Sequence, residues 1–110
     1  MRNKANILAH YLACALWCEE LEGSKKKIAP SSIEQAKKDI DLFVDKNESL
    51  LDKSGQSDEQ IGHDFWLSRN HHGAGFFDRG LGEIGVILQK NSQTFKELNV
   101  FDDEVNIIIE

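Results

Sequence analysis

The stretch that organises this chain is residues 62–82, which read GHDFWLSRNHHGAGFFDRGLG. Four glycines fall within ten residues, at Gly73, Gly75, Gly80 and Gly82, and such a density implies special backbone angles or close approach between backbones. The same stretch holds three of the four histidines, two arginines and two aspartates, mixed with aromatic side chains. This mixture indicates either a binding site or a tightly held turn.

Both interpretations make definite predictions about the charged side chains. The candidate binding residues are Asp64, Arg69, Asn70, His71, His72, Asp78 and Arg79. In a binding site they would converge on a ligand, because arginine offers a planar fork suited to phosphate or carboxylate. In a structural turn, Arg69 and Arg79 would pair with Asp64 and Asp78. The aromatic residues that would then fill the core are Phe65, Trp66, Phe76 and Phe77. The structural interpretation is favoured, since paired charges in a small helical domain often hold geometry.

Apolar residues recur at helical spacing on both sides of this stretch and predict four helices. The predicted helices cover residues 3–22, 31–54, 57–69 and 81–98, the last with Ile84, Ile87, Leu88 and Phe95 facing inward. Ser31 with Glu34, and Ser57 with Gln60, have the spacing of capping boxes. Gly62 inside the third helix predicts that another backbone passes close by.

The remaining segments complete a mainly α (α+β) fold in a single domain, residues 1–110. Residues 23–30 are predicted to form a polar linker. Residues 99–109 change to a period of two around an acidic turn, which predicts a short C-terminal β-hairpin. Because a two-stranded ribbon is marginal by itself, we expect it to pack on the helices.

Composition and charge restrict the function. The chain is 40% hydrophobic and 29% charged, and its longest apolar stretch, residues 12–18, is too short to span a membrane. Without signal-peptide features, it is predicted to be cytoplasmic. A net charge of −6 argues against direct nucleic-acid binding, which needs a basic face. It favours a basic protein partner. The candidate partner face comprises Glu19, Glu20, Glu22, Asp102, Asp103 and Glu104, with Asp39, Asp41 and Asp45 as further acidic positions.

Catalytic and metal-binding patterns are weak. His10, Cys14 and Cys18 are spaced four residues apart along one helix, unlike the usual zinc motifs. The sequence after Gly73-Ala74-Gly75 matches neither the dinucleotide-binding nor the P-loop motif. Ser68 lies five residues from His63 on a helix, so their side chains should not meet. We therefore expect no enzyme activity, no metal and no cofactor.

Residues 64–80, DFWLSRNHHGAGFFDRG, resemble a motif in a family of small proteins of bacteriophages, prophages and plasmids. The usual form there is D-F-W-L-T-R-N-G-H-G-A-G-F-W-D-R-G-L-G. The resemblance extends from Gly62 to Gly85, and more loosely to residues 13–17 and the β-like tail. This chain departs from the motif at Ser68, His71 and Phe77. A glycine in place of His71 implies a backbone angle that histidine adopts less readily.

The resemblance implies a function by analogy. Small acidic proteins of mobile elements often bind a host protein, such as a defence nuclease or restriction enzyme, and block it. One alternative left open by the residues themselves is a small-ligand or nucleic-acid-end binding module built on Arg69, His71, His72 and Arg79. A third hypothesis, ranked below these two, is a hydrolase that uses the histidine and aspartate cluster of the same segment.

Overall fold

Five α-helices and a three-stranded sheet form the chain, which a computed structural model describes over residues 2–110. In chain order the elements are α1 (Lys4–Cys18), β1 (Lys27–Ile28), α2 (Pro30–Lys46), α3 (Glu48–Ser54), α4 (Asp58–Arg69), a 3-10 turn (Phe76–Asp78), α5 (Glu83–Ser92), β2 (Val100–Asp102) and β3 (Asn106–Ile109). The predicted mainly helical class is confirmed, but the predicted four helices are five and the sheet has a third strand. Within the described residues, no helix is long and apolar enough to cross a membrane.

Helices α1 and α4 form the most extensive helix pair of the fold. Ser57 caps α4, since its Oγ accepts a hydrogen bond of 3.2 Å from the N–H of Gln60. Between the two helices, a Cβ added to Gly62 would stand 2.3 Å from the carbonyl oxygen of Ile7. The N-cap predicted at Ser57 and the close backbone approach predicted at Gly62 are therefore both confirmed. The side chain of Gln60 donates to Asp64 at 2.8 Å, so the predicted capping box forms only in its Ser57 half.

Aromatic rings from four elements fill the core. Phe43 of α2 stacks on Phe65 of α4 with centroids 4.2 Å apart, and Tyr11 of α1 lies 5.4 Å from the same ring. Phe76 in the 3-10 turn is fully buried against this cluster. The prediction that Phe77 also fills the core is wrong, because its side chain is 46% exposed. Successive residues of a 3-10 turn point about 120° apart, so only one of the two rings can face inward.

Helix α1 ends at Cys18, four residues earlier than predicted. The N–H of Leu21 donates to the carbonyl of Leu16 at 2.8 Å, and the N–H of Glu20 donates to that of Trp17 at 3.1 Å. This pair of bonds is a Schellman motif, whose left-handed residue is usually glycine. Here it is Glu20, with φ of 57°. The helix therefore closes before it reaches the glycine at which the sequence predicted its end.

The second predicted helix differs at its start and in its middle. It begins at Pro30, with Ala29 as an N-cap that makes no side-chain bond, so the capping box predicted at Ser31 is wrong. Proline at the first helical position supplies a suitable φ in its place. Asn47 then divides the segment into α2 and α3. Its side-chain amide is buried and donates to the carbonyl of Phe43 at 2.8 Å.

Helix α5 is shorter at both ends than predicted. Gly82 before it has a φ of 62°, which no right-handed helix contains, so α5 begins at the next residue. Leu88 and Ser92, one turn apart, are fully buried. Ile87 lies about 100° around the helix from Leu88 and is 37% exposed, so its predicted inward position is wrong. Phe95, beyond the helix end, packs against the core as predicted.

The C-terminal hairpin forms as predicted and gains a third strand. Strands β2 and β3 are antiparallel, with Val100 opposite Ile109. Strand β1 pairs in parallel with β3 on the other side, with Ile28 opposite Ile107. Part of the predicted linker is therefore a strand. The buried residues Ile107 and Ile109 face the helices, and the Oγ of Ser32 on α2 accepts from the N–H of Ile109 at 3.0 Å.

Candidate functional site

Asp64 lies fully buried on α4 and receives hydrogen bonds from three side chains. Gln56 and Gln60 donate through their Nε2 atoms at 2.9 and 2.8 Å. Arg79 donates through Nε and Nη2 at 3.0 and 2.8 Å, and these bonds raise the pKa of Arg79 above its ordinary value. The Asp64–Arg79 pair predicted by the structural interpretation is confirmed. It ties the glycine-rich segment to α4.

Arg69 lies elsewhere, inside the core. Its Nη1 donates to Oδ2 of Asp39 at 2.7 Å and to the hydroxyl of Tyr11 at 3.2 Å, and its Nε donates to the carbonyl of Lys96 at 2.7 Å. The guanidinium also lies 5.3 Å from the ring centroid of Phe95. The side chain is 3% exposed. The predicted pairing of Arg69 with Asp64 or Asp78 is therefore wrong, and Arg69 does not converge with the other candidates on a ligand.

Asn70 and His71 terminate α4. The side chain of Asn70 donates to the carbonyl of Trp66 at 2.9 Å and accepts from the N–H of Leu98 at 2.7 Å, so it bridges α4 to the segment before β2. His71 has a φ of 57°. The glycine-like backbone angle that the family motif implies at this position is confirmed. Its ring is exposed, with Nε2 3.5 Å from the carboxylate of Glu97.

The glycine-rich segment packs directly on α4. Gly75 has a φ of 117°, and a Cβ there would lie 2.3 Å from Oγ of Ser68. That buried hydroxyl accepts from the N–H of Phe76 at 3.1 Å. His72 before these residues and Asp78 after them are exposed. The seven candidate binding residues therefore do not form one constellation, and the segment is mainly a structural turn.

A groove of about 710 Å³ lies between the C-terminal end of α1 and the glycine-rich segment. We call it the Trp17 groove. Its polar and aromatic lining includes Trp17, Glu20, Glu22, His63, His72 and Arg79. Trp17 is 58% exposed, and its ring centroid lies 6.0 Å from that of His63. Two of the candidate binding residues, His72 and Arg79, therefore line this groove together with side chains from the end of α1.

Trp17 and His63 were not among the predicted site residues. A signal for Trp17 was available in the sequence: it lies about 80° around α1 from Ile7, outside the apolar stripe that faces the core. An indole placed outside such a stripe is a candidate contact residue. His63 had no comparable signal, because its place in the groove depends on how α1 crosses α4.

The six predicted partner-face carboxylates are all exposed, and Lys26 joins the segment that follows the first three to the last three. Three are at Glu19, Glu20 and Glu22, after α1. The other three, at residues 102–104, form the turn of the hairpin. Nζ of Lys26 donates to Oδ1 of Asp102 at 2.8 Å. Because Lys26 follows Glu22 by four residues, its Cα lies at most about 14 Å from that of Glu22. We call these six residues the acidic end.

The other predicted acidic positions do not form a free face. Asp39 is buried and paired with Arg69. Asp41 and Asp45 are exposed but lie on either side of Lys4, whose Nζ is 3.2 and 2.9 Å from their carboxylates. These hydrogen bonds raise the pKa of Lys4. The exposed negative charge of this part of the surface is therefore partly neutralised.

The two cysteines are free thiols with sulfur atoms 4.0 Å apart. Burial raises the pKa of the Cys14 thiol far above its ordinary value, which keeps it protonated and unreactive at neutral pH. Across residues 2–110, no three His, Cys, Asp or Glu side chains come together in a way that could hold a metal ion.

Comparisons of the chain with protein-family models, curated proteins and solved structures give no match. The resemblance of residues 62–85 to proteins of mobile elements consequently rests on the motif alone.

Proposed function

We propose that the protein acts by binding a basic surface of another protein through its acidic end. One observation carries the proposal: the two arginines of residues 62–82 face carboxylates that neutralise them, whereas six carboxylates at the acidic end are exposed. Lys25, Lys26 and Lys27 are exposed between the two acidic clusters, and Lys26 pairs with Asp102. Six carboxylates less three lysines still leave a formal charge of −3 in this region. Complementary charge of this kind increases association rates and selects partners.

Apolar side chains beside these carboxylates strengthen the proposal. Trp17 precedes the first acidic cluster and is 58% exposed, while Phe101 and Val105 flank the second and are 48% and 75% exposed. Protein interfaces are enriched in aromatic residues at their centres, with charged residues at the rim. An exposed indole next to free carboxylates is consistent with that arrangement.

The family resemblance suggests the class of partner. We propose a cytoplasmic host protein, such as a defence or DNA-processing factor, that the bound protein inhibits or modulates. Proteins that act on DNA carry basic faces for phosphate, and an acidic surface can occupy such a face. The net charge of −6 makes direct binding to nucleic acid unfavourable by the same reasoning.

The environment of Ser68 favours binding over catalysis. Its hydroxyl is fully buried and accepts from the backbone of Phe76, so it is not exposed to attack a substrate. Asp64 nearby is occupied by Arg79 and two glutamines. Ser68 and Asp64 therefore serve packing and charge pairing rather than nucleophilic chemistry.

A second candidate function retains some support. The guanidinium side chain of Arg79 is 32% exposed, and it lines the Trp17 groove together with His63 and His72. This arrangement could bind a small anionic ligand or the phosphate end of a nucleic acid. Under that alternative, inorganic phosphate should perturb His72 and Arg79 in NMR spectra. Under the main proposal it should not.

The test is affinity capture from host lysate with the tagged protein at about 0.1 M and about 1 M salt, between which the Debye length falls from about 10 Å to about 3 Å. We expect one stoichiometric protein, retained at low salt and lost at high salt. The variant E19Q/E20Q/E22Q should lose it. The matched control E34Q/E48Q/E59Q, which removes three exposed carboxylates elsewhere, should keep it. Capture that is unchanged both at about 1 M salt and in the E19Q/E20Q/E22Q variant would contradict the proposal.

A further inference from the structure

We propose that the Trp17 groove receives an arginine side chain of the basic partner, stacked on the Trp17 indole and bound by the carboxylates of Glu20 and Glu22. This inference rests on the proposed function and specifies its central contact.

The charge of the groove selects a cation. Arg79, the permanent cation in its lining, is bonded to the buried carboxylate of Asp64 and has its charge neutralised there. Glu20 and Glu22 are exposed, and across residues 2–110 neither forms an ion pair within 4 Å. The carboxylates of Glu20 and Glu22 are therefore the uncompensated charges of the lining. An anionic ligand would be repelled by them, whereas a cation would be attracted.

The aromatic wall selects the kind of cation. Trp17 is more than half exposed, and indole is the best of the aromatic rings at attracting a cation to its face. The ring of His63 lies beside it at 6.0 Å, which limits the positions that the indole can take. A guanidinium can stack on the indole and still donate to carboxylates from its edge. An ammonium makes only a point contact.

The end of α1 fixes the backbone positions of Trp17 and Glu20 relative to each other. The N–H of Glu20 donates to the carbonyl of Trp17 at 3.1 Å, within the motif that closes the helix. The two side chains are therefore attached to one short, hydrogen-bonded turn. A recognition group that is already ordered loses less entropy when a ligand binds.

NMR of the indole N–H groups gives a direct readout. The chain has two tryptophans, and Trp66 is buried, so its indole signal serves as an internal reference. The probe is the peptide Ac-Gly-Arg-Gly-NH2, compared with the same peptide carrying lysine or neutral citrulline. We expect the Trp17 signal to saturate with a Kd on the order of 10 mM for arginine, weaker binding for lysine and no saturation for citrulline.

Matched variants locate the contact. E20Q/E22Q should weaken arginine binding about tenfold, whereas E48Q/E59Q should leave it unchanged. W17A should abolish the response of nearby backbone amides. The proposal would be overturned if the indole N–H signal of Trp17 did not shift with the arginine peptide, or if it shifted equally with the citrulline peptide.

The same variants distinguish failure of this inference from failure of the proposed function. If W17A still captures the partner while E19Q/E20Q/E22Q does not, the acidic end binds and the groove inference is wrong. If arginine binds the groove but no salt-sensitive partner is captured, the groove inference stands and the proposed function fails.

Discussion

Replacing Arg69 should destabilise the fold strongly, because its partner Asp39 would remain buried without a compensating charge. The two side chains are 3% and 12% exposed and share a hydrogen bond of 2.7 Å. Removing one member of a buried ion pair typically costs about 3–5 kcal/mol. Gln35 would still donate to Asp39 at 2.9 Å, so we expect about 3 kcal/mol for Arg69→Met. That is a large part of the roughly 5–15 kcal/mol that stabilises an ordinary domain.

The assay is urea unfolding followed by circular dichroism, within a double-mutant cycle. Arg69→Met and Asp39→Leu should each destabilise by about 3 kcal/mol, since each leaves a buried partner unpaired. The double variant should be less destabilised than the sum of the two, by about 2 kcal/mol or more. Lys38→Met, which removes an exposed charge beside the pair, should stay within about 0.5 kcal/mol of the parent chain.

Two results would refute this reasoning. The first is an Arg69→Met variant within about 1 kcal/mol of the parent chain, which would mean that the buried pair contributes little. The second is strict additivity in the cycle, which would mean that Arg69 and Asp39 act independently. Either result would mean that the buried pair of Arg69 and Asp39 is not a main support of the fold.

Three further predictions concern backbone packing and titration. Gly62→Ala should destabilise by about 3 kcal/mol in urea unfolding, because its Cβ would meet the Ile7 carbonyl oxygen; stability equal to the parent chain would contradict the close contact. His71→Gly should stabilise by about 0.5–1 kcal/mol in the same assay, since glycine adopts a φ of 57° without strain; a less stable variant would count against this. Burial raises the pKa of Tyr11, the only tyrosine, from 10.0 to about 12. Keeping Tyr11 protonated should therefore contribute about 2–3 kcal/mol to the free energy of unfolding below pH 10, and this contribution should be lost as the pH rises through 12. We expect the phenolate absorbance to increase together with unfolding. Ionisation of Tyr11 near pH 10 in the folded protein would contradict the raised pKa.

Features that depend on a few neighbouring residues could be predicted from the sequence. Ser57 caps α4 because its hydroxyl meets an N–H three residues ahead. The unusual angle at His71 was predictable because the motif has glycine there, and the bonds that close α4 are local. Gly62 signalled a close contact, although not that Ile7 would make it.

Features that depend on distant partners could not be predicted. Arg69 had two aspartates close to it in sequence, yet it pairs with Asp39, thirty residues earlier on another helix. Charge alone does not distinguish these partners, because the choice depends on which helix faces pack. Strand β1 escaped prediction for a similar reason. Two residues, Lys27 and Ile28, carry no periodic signal, and their pairing with β3 spans most of the chain.

The charge pairs also affect where function can lie. Asp39 with Arg69 and Asp64 with Arg79 cancel in formal charge, so removing both pairs from the count leaves the whole net charge of −6 on the rest of the chain. Residues 62–82 therefore mainly join helices. Buried charge pairs that join helices do not contact a partner, so they do not determine which partner is bound. We infer that partner choice is determined outside residues 62–82, by the end of α1 and the turn of the hairpin. Substitutions there should change the captured protein without changing stability, whereas substitutions in the motif should do the reverse.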